Sequence, residues 1–116
     1  MVFIMNSQYK AKAELYSDQA SIKQLNQKLK ESQDLYVYYY QVNCEHCKRV
    51  SPFLIPLAKK QGKEFTILNL EKYPDGWNQM FIMETPTLIY YRNGQEFGRI
   101  EGEHTEEEYK NFFKKY

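Results

Sequence analysis

Val42-Asn43-Cys44-Glu45-His46-Cys47-Lys48 is the stretch that decides how this chain is read. It holds both cysteines of the 116 residues, three positions apart. An apolar, tyrosine-rich run, Leu35-Tyr36-Val37-Tyr38-Tyr39-Tyr40, leads into it, and an amphipathic segment from Lys48 to Lys60 leads away. The pair therefore sits where a strand ends and a helix begins. Residues at i and i+3 of a first helical turn share a face, near enough for two thiols to bond to each other. The unpaired N–H groups and partial positive charge of a helix start favour thiolate over thiol. Cys44, nearer the helix start and solvent, is expected to be the nucleophile; Cys47, a turn deeper, is expected to resolve. The alternatives for such a pair are inert scaffold thiols and metal binding.

Asn43, just before the pair, is a candidate helix cap, and downstream Val50, Phe53, Leu54 and Leu57 form an inward face. Pro52 lies inside this helix, where its ring removes one hydrogen bond and predicts a kink, and Gly62 ends it. Phe65–Leu70 reads as a second buried strand. Strand, helix and strand joined by short loops make a βαβ unit with parallel strands. Tyr73-Pro74-Asp75 opens a loop and a short helix through Trp77, Met80 and Phe81. Thr85–Tyr91 is a further strand, and Asn93-Gly94 is a hairpin signal that joins it to an antiparallel strand over Gln95–Ile100. Gly102 predicts a bulge or a close approach. Thr105 and Glu108 form a capping box for a last helix with Tyr109, Phe112 and Phe113 facing inward.

Upstream, Ala11–Tyr16 reads as a short first strand. Ser17 or Asp18 then caps a helix over Gln19–Glu31 with Ile22, Leu25 and Leu29 on one face. Residues 1–10 show no period and are set apart as an extension from a domain spanning 11–116. The totals agree with one domain of ordinary size. A net charge of +1 from 16 basic and 15 acidic residues gives no sign of a nucleic-acid partner. Two cysteines are too few for a secreted disulfide framework or a four-thiolate zinc site. No apolar run approaches the ~20 residues that span a bilayer. The short apolar start, Met1–Met5, lacks the features of a secretory signal, so the chain as given is expected in the cytoplasm. A signal or anchor trimmed from a longer precursor would leave the same sequence.

These features together resemble the thioredoxin superfamily. The matches, in order, are Cys44-x-x-Cys47 after a strand, Pro52 in the next helix, Asn69 ending the next strand, Thr85-Pro86-Thr87, Asn93-Gly94, Gly102 and the last helix. The resemblance implies an α/β thioredoxin fold, a central mixed β-sheet with helices on both faces. It implies a cis Pro86 beside the cysteines, with Thr85 offering its backbone to an extended substrate. It implies a protein thiol–disulfide oxidoreductase acting on protein or peptide thiols and disulfides, with a redox partner protein and no organic cofactor or metal. The second reading is a non-catalytic module that keeps the fold as a binding or accessory protein.

The chain also departs from thioredoxin proper. Glu45-His46 lies between the cysteines, and a histidine before the second cysteine is similar to the disulfide-forming and isomerising branches. An imidazolium at His46 is expected to stabilise the neighbouring thiolate, and Glu45 is expected to oppose this, to pair with His46 or to complement the helix start. Asn43 and Tyr40 stand where thioredoxins carry tryptophans. Tyr38 and Ile67 stand where they carry a buried aspartate–lysine pair. A phenol is a poor base at neutral pH, so the activity is expected to lean towards oxidant or isomerase. The general likeness is to small Gram-positive thioredoxin-like proteins, some linked to bacteriocin operons. Trp77 and the tyrosine cluster read as core and surface, and His104 as an exposed residue with no evident partner.

Overall fold

A computed structural model describes residues 15–116. Its elements are α1 (Ile22–Glu31), β1 (Asp34–Tyr40), α2 (Glu45–Lys59), β2 (Glu64–Asn69), α3 (Asp75–Gln79), β3 (Thr87–Arg92), β4 (Gln95–Glu101) and α4 (Glu106–Lys115). The four strands form one sheet in the order β2-β1-β3-β4. β1 and β2 run parallel across the α2 crossover, while β1–β3 and β3–β4 are antiparallel. The sheet is therefore mixed.

β1 is buried along nearly its whole length because helices cover both faces of the sheet. Strand alternation sends Tyr36, Tyr38 and Tyr40 to one side, against Val50, Leu54 and Ile55 of α2 and Tyr109, Phe112 and Phe113 of α4. Leu35, Val37 and Tyr39 go to the other side, against Leu25 of α1 and, with Trp77 partly buried, α3. A buried phenol is stable only if its hydroxyl finds a partner. Tyr38 pairs with Ser51, Tyr39 with Tyr91, Tyr90 with Asp34, and Tyr109 with the Gly102 carbonyl. Among the described residues no buried side-chain oxygen or nitrogen lacks a partner.

The expected elements shift in several places. Residues 11–14 lie outside the described residues, but Leu15 is helical and 16–18 form a turn, so no strand reaches Tyr16. A single parallel bridge, Gln19 to Ile67, takes its place on the outer edge of β2. α1 begins at Ile22 rather than Gln19, because Ser21 and Gln24 complete a reciprocal capping box that Ser17 and Asp18 cannot. α2 runs unbroken from Glu45 to Lys59 through Pro52 and also Pro56, which lie four residues apart on its exposed side. β3 starts at Thr87, after Pro86, which has no N–H to give to a ladder. The Asn93-Gly94 turn has positive φ at both residues, 51° and 81°, as the tight hairpin requires. The capping box of Thr105 and Glu108 forms as read.

Candidate functional site

β1 ends at Tyr40, and four residues later Cys44 takes the N-cap position of α2 with extended backbone angles. Its sulfur accepts the Cys47 backbone N–H at 3.2 Å, so a cysteine sulfur does what Asn43 was expected to do. Asn43 instead donates its backbone N–H to the Glu71 carboxylate at 3.0 Å. Cys44 is half-buried, and Cys47, one turn on, is buried at 2% exposure. The partial burial of Cys44 works against ionisation. It is outweighed by hydrogen bonds from Cys47, the Thr85 hydroxyl and the backbone N–H groups of Cys47 and His46, which hold the thiol below its ordinary value. Burial, reinforced by Cys44, pushes the Cys47 thiol up to about 12.

The loop before β3 closes over Cys44. The Thr85–Pro86 bond is cis. The Thr85 carbonyl lies 3.6 Å from the Cys44 sulfur and its hydroxyl 3.5 Å. The same hydroxyl is 2.9 Å from Gln41 Oε1, a residue the sequence reading did not single out. A cleft of about 420 Å³ beside this contact is lined by His46, Glu84, Thr85, Gly102 and Glu103.

His46 is placed differently from the expectation. Its Nδ1 meets Glu103 Oε1 at 2.7 Å, and no hydrogen bond joins the imidazole to Cys44; His46 reaches that sulfur through its backbone N–H alone. Arg49 clamps the same carboxylate with Nε 3.0 Å from both oxygens and Nη2 2.9 Å from Oε1. Arg49 and then His46 hold the Glu103 carboxyl down at about 2. Arg49 had a local signal, one turn after His46 on the same helix. Glu103 had none, since it arrives from the loop after β4. Glu45 pairs with Lys48 at 3.4 Å, not with His46. His104, expected to lack partners, contacts Glu108 at 3.0 Å and the Glu101 carbonyl at 2.8 Å. Tyr38 lies buried next to Ile67 across the β1–β2 ladder, in the same cluster as Cys47. Burial raises its phenol well above the ordinary value. Among the described residues no group of three or more His, Cys, Asp or Glu side chains is placed to hold a metal ion. No helix among them is long and apolar enough to cross a membrane.

Comparison with known proteins places this geometry. The Thioredoxin family model matches residues 5–115. The chain is 33% identical over 60 residues to Thioredoxin H9 of Arabidopsis thaliana, covering 51% of this chain and 43% of that one. It is 34% identical over 67 residues to the mitochondrial Thioredoxin-2 of Schizosaccharomyces pombe, covering 57% and 50%. The match thus spans half or less of the length of these two relatives. Among solved structures, Plasmodium falciparum thioredoxin superimposes with a TM-score of 0.79 at 21% identity, covering 85% of this chain and 98% of that one. Oxidised mitochondrial thioredoxin 3 of Saccharomyces cerevisiae does so with 0.76 at 20% identity, covering 88% and 99%. The sheet order, the helices on both faces and the family match over nearly the whole chain agree: this chain belongs to the thioredoxin family.

Proposed function

We propose that the chain exchanges a Cys44–Cys47 dithiol with the disulfides of protein or peptide substrates. The observation that carries this reading is the asymmetry of the pair. Cys44 is accessible with its thiol held low, as an attacking sulfur needs, and Cys47 is buried with its thiol held high, as a waiting one needs. Cys44 thiolate attacks a substrate disulfide; a mixed disulfide forms and one substrate sulfur leaves as thiolate. Cys47 then loses its proton and attacks the Cys44 sulfur. The internal disulfide forms, the second substrate sulfur leaves, and solvent protonates both. Two electrons pass from the dithiol to the substrate, and the reverse sequence oxidises a substrate dithiol. An extended substrate segment lies along Thr85 and Pro86. The Thr85 N–H donates to no group among the described residues and is free for added-strand pairing.

The direction we favour is oxidant or isomerase rather than general reductase. Tyr38 and Ile67, both fully buried, put neither a carboxylate nor an ammonium at their two positions, and a phenol with a raised pKa is a poor proton acceptor. Asn43, exposed beside Cys44, gives a redox partner a surface without tryptophan there, and Tyr40 lies buried beneath it. The test compares reduction of a disulfide-bonded protein with oxidative refolding of its reduced form, in the wild type and in Cys44→Ser. Refolding faster than reduction, lost in Cys44→Ser, is the expected result. Efficient reduction coupled to a thioredoxin reductase, with no refolding, would reverse the direction. Full retention by Cys44→Ser would leave only a binding module.

A further inference from the structure

Tyr38 and Ser51 are both completely buried, and their hydroxyl oxygens lie 2.7 Å apart. Tyr38 comes from β1. Ser51 comes from α2, four residues after Cys47, so the two share the inward face of the helix one turn apart. Helical side chains lean towards the N-terminus, which aims the Ser51 hydroxyl over the turn that carries Cys47. Neither hydroxyl has a further hydrogen-bond partner among the described residues. Two hydroxyls bring two protons, and the bond between them uses one. The other has no acceptor among the described residues, which is costly for a buried group unless an acceptor arises there. Thiol exchange creates one. The Cys47 sulfur lies in the same buried cluster as Tyr38.

We propose that Ser51, oriented by Tyr38, hydrogen-bonds the Cys47 thiolate while the mixed disulfide is resolved. This rests on the exchange reading above. Tyr38 O–H donates to Ser51 Oγ, and Ser51 O–H donates to the sulfur. In this step Ser51 acts on the reacting sulfur directly, and Tyr38 is a positioning residue. The Cys47 proton goes to solvent, and the Ser51 proton stays on its oxygen throughout. The Cys44–Cys47 bond forms, the bond from Cys44 to the substrate sulfur breaks, and the electron pair leaves on that sulfur. A neutral hydroxyl pair thus stabilises the buried anion without serving as a base. Without Tyr38, the Ser51 hydroxyl is free to fold back onto the helix carbonyl one turn earlier.

The experiment mixes the reduced chain with excess dithiobisnitrobenzoate in a stopped-flow instrument, across acid to alkaline pH. The first coloured thiolate reports attack by Cys44. The second, whose rate is independent of reagent concentration, reports resolution by Cys47. Ser51→Ala should slow the second release roughly tenfold, the worth of one hydrogen bond to a charged acceptor, and leave the first unchanged. Its pH midpoint should move upward, and Ser51→Thr should restore both. Tyr38→Phe should act in the same direction more weakly, and it carries the test if Ser51→Ala does not fold. An unchanged second release in Ser51→Ala, or equal slowing of both releases, overturns the proposal while exchange stands. A wild-type chain that never releases the second thiolate overturns the exchange reading itself, and the proposal with it.

Discussion

His46 Nδ1 lies 2.7 Å from Glu103 Oε1, across 57 residues of sequence, and Arg49 holds both oxygens of the same carboxylate. The dipeptide histidine between the cysteines is therefore engaged by an anion from the loop after β4. Its charge, when present, is met locally before it can act on Cys44. Glu103, not His46 alone, sets how much positive field the start of α2 presents to the sulfur.

Replacement of Glu103 follows from this. Glu103→Gln leaves Arg49 and His46 without their anion, so Cys44 should alkylate faster at neutral pH, by about twofold for exposed charges at this range. The pair should become more oxidising, and the gain should fade in high salt. His46→Ala should change the rate less than Glu103→Gln does. Alkylation kinetics at low and high salt check this; a large effect of His46→Ala with a silent Glu103→Gln would contradict it.

The two thiols should also react apart from each other. At neutral pH an alkylating agent should label Cys44 of the reduced protein quickly and Cys47 scarcely, because burial and the neighbouring Cys44 push its thiol up to about 12. Mass spectrometry of peptides over a time course reads both sites. Labelling of Cys47 at the rate of Cys44 would reverse the assignment of nucleophile.

Stability should depend on pH through two carboxylates. Glu103 is held down at about 2 by Arg49 and His46, and Glu108 at about 2 by His104 and Thr105. A carboxyl lowered in the folded state binds its proton more readily when unfolded. The stability it contributes is complete above the unfolded value of about 4.3 and is lost as pH falls towards 2. His104 runs the other way: Glu108 raises it, so its contribution is present below the ordinary histidine value and is lost as pH rises through the raised one. Denaturant midpoints between strong acid and neutrality should fall with acidification, and Glu103→Gln with Glu108→Gln should flatten that fall. An unaltered slope in the double variant would remove these pairs from the account.

Gly102 should resist substitution. Its φ of +82° lies in the left-handed region, and a Cβ there would meet Glu84 Oε1 at 2.4 Å. Its N–H donates to the Pro86 carbonyl at 2.8 Å, and its own carbonyl accepts the Tyr109 hydroxyl at 3.0 Å. Gly102→Ala should cost about 1–2 kcal/mol of stability from backbone conformation. It should also disturb exchange by displacing Glu84 and the turn that faces Pro86. Urea unfolding alongside an exchange assay measures both, and an unaffected midpoint would show that the turn relaxes freely.

What the amino-acid sequence by itself determined is local. A continuous apolar run wrote β1, the spacing of Val50 and Leu54 wrote α2, and Asn93-Gly94 and the Thr105–Glu108 box wrote a hairpin and a helix start. Each depends on residues a few positions apart, whose preferences act before any distant contact forms. The cysteine pair at a strand-to-helix junction was legible for the same reason, and its ordered company of Pro52, Thr85-Pro86 and Gly102 pointed to the family. Tertiary structure alone decided which side chains meet across the sheet. It brought Thr85 to Cys44 and to Gln41, Glu103 to His46 and Arg49, and Tyr38 to Ser51. It also put the Cys44 sulfur, rather than Asn43, on the helix N-terminus, because the turn after β1 swings the Asn43 N–H to Glu71. Those contacts depend on the βαβ crossover and on where two loops settle, and no short-range period in the chain records either.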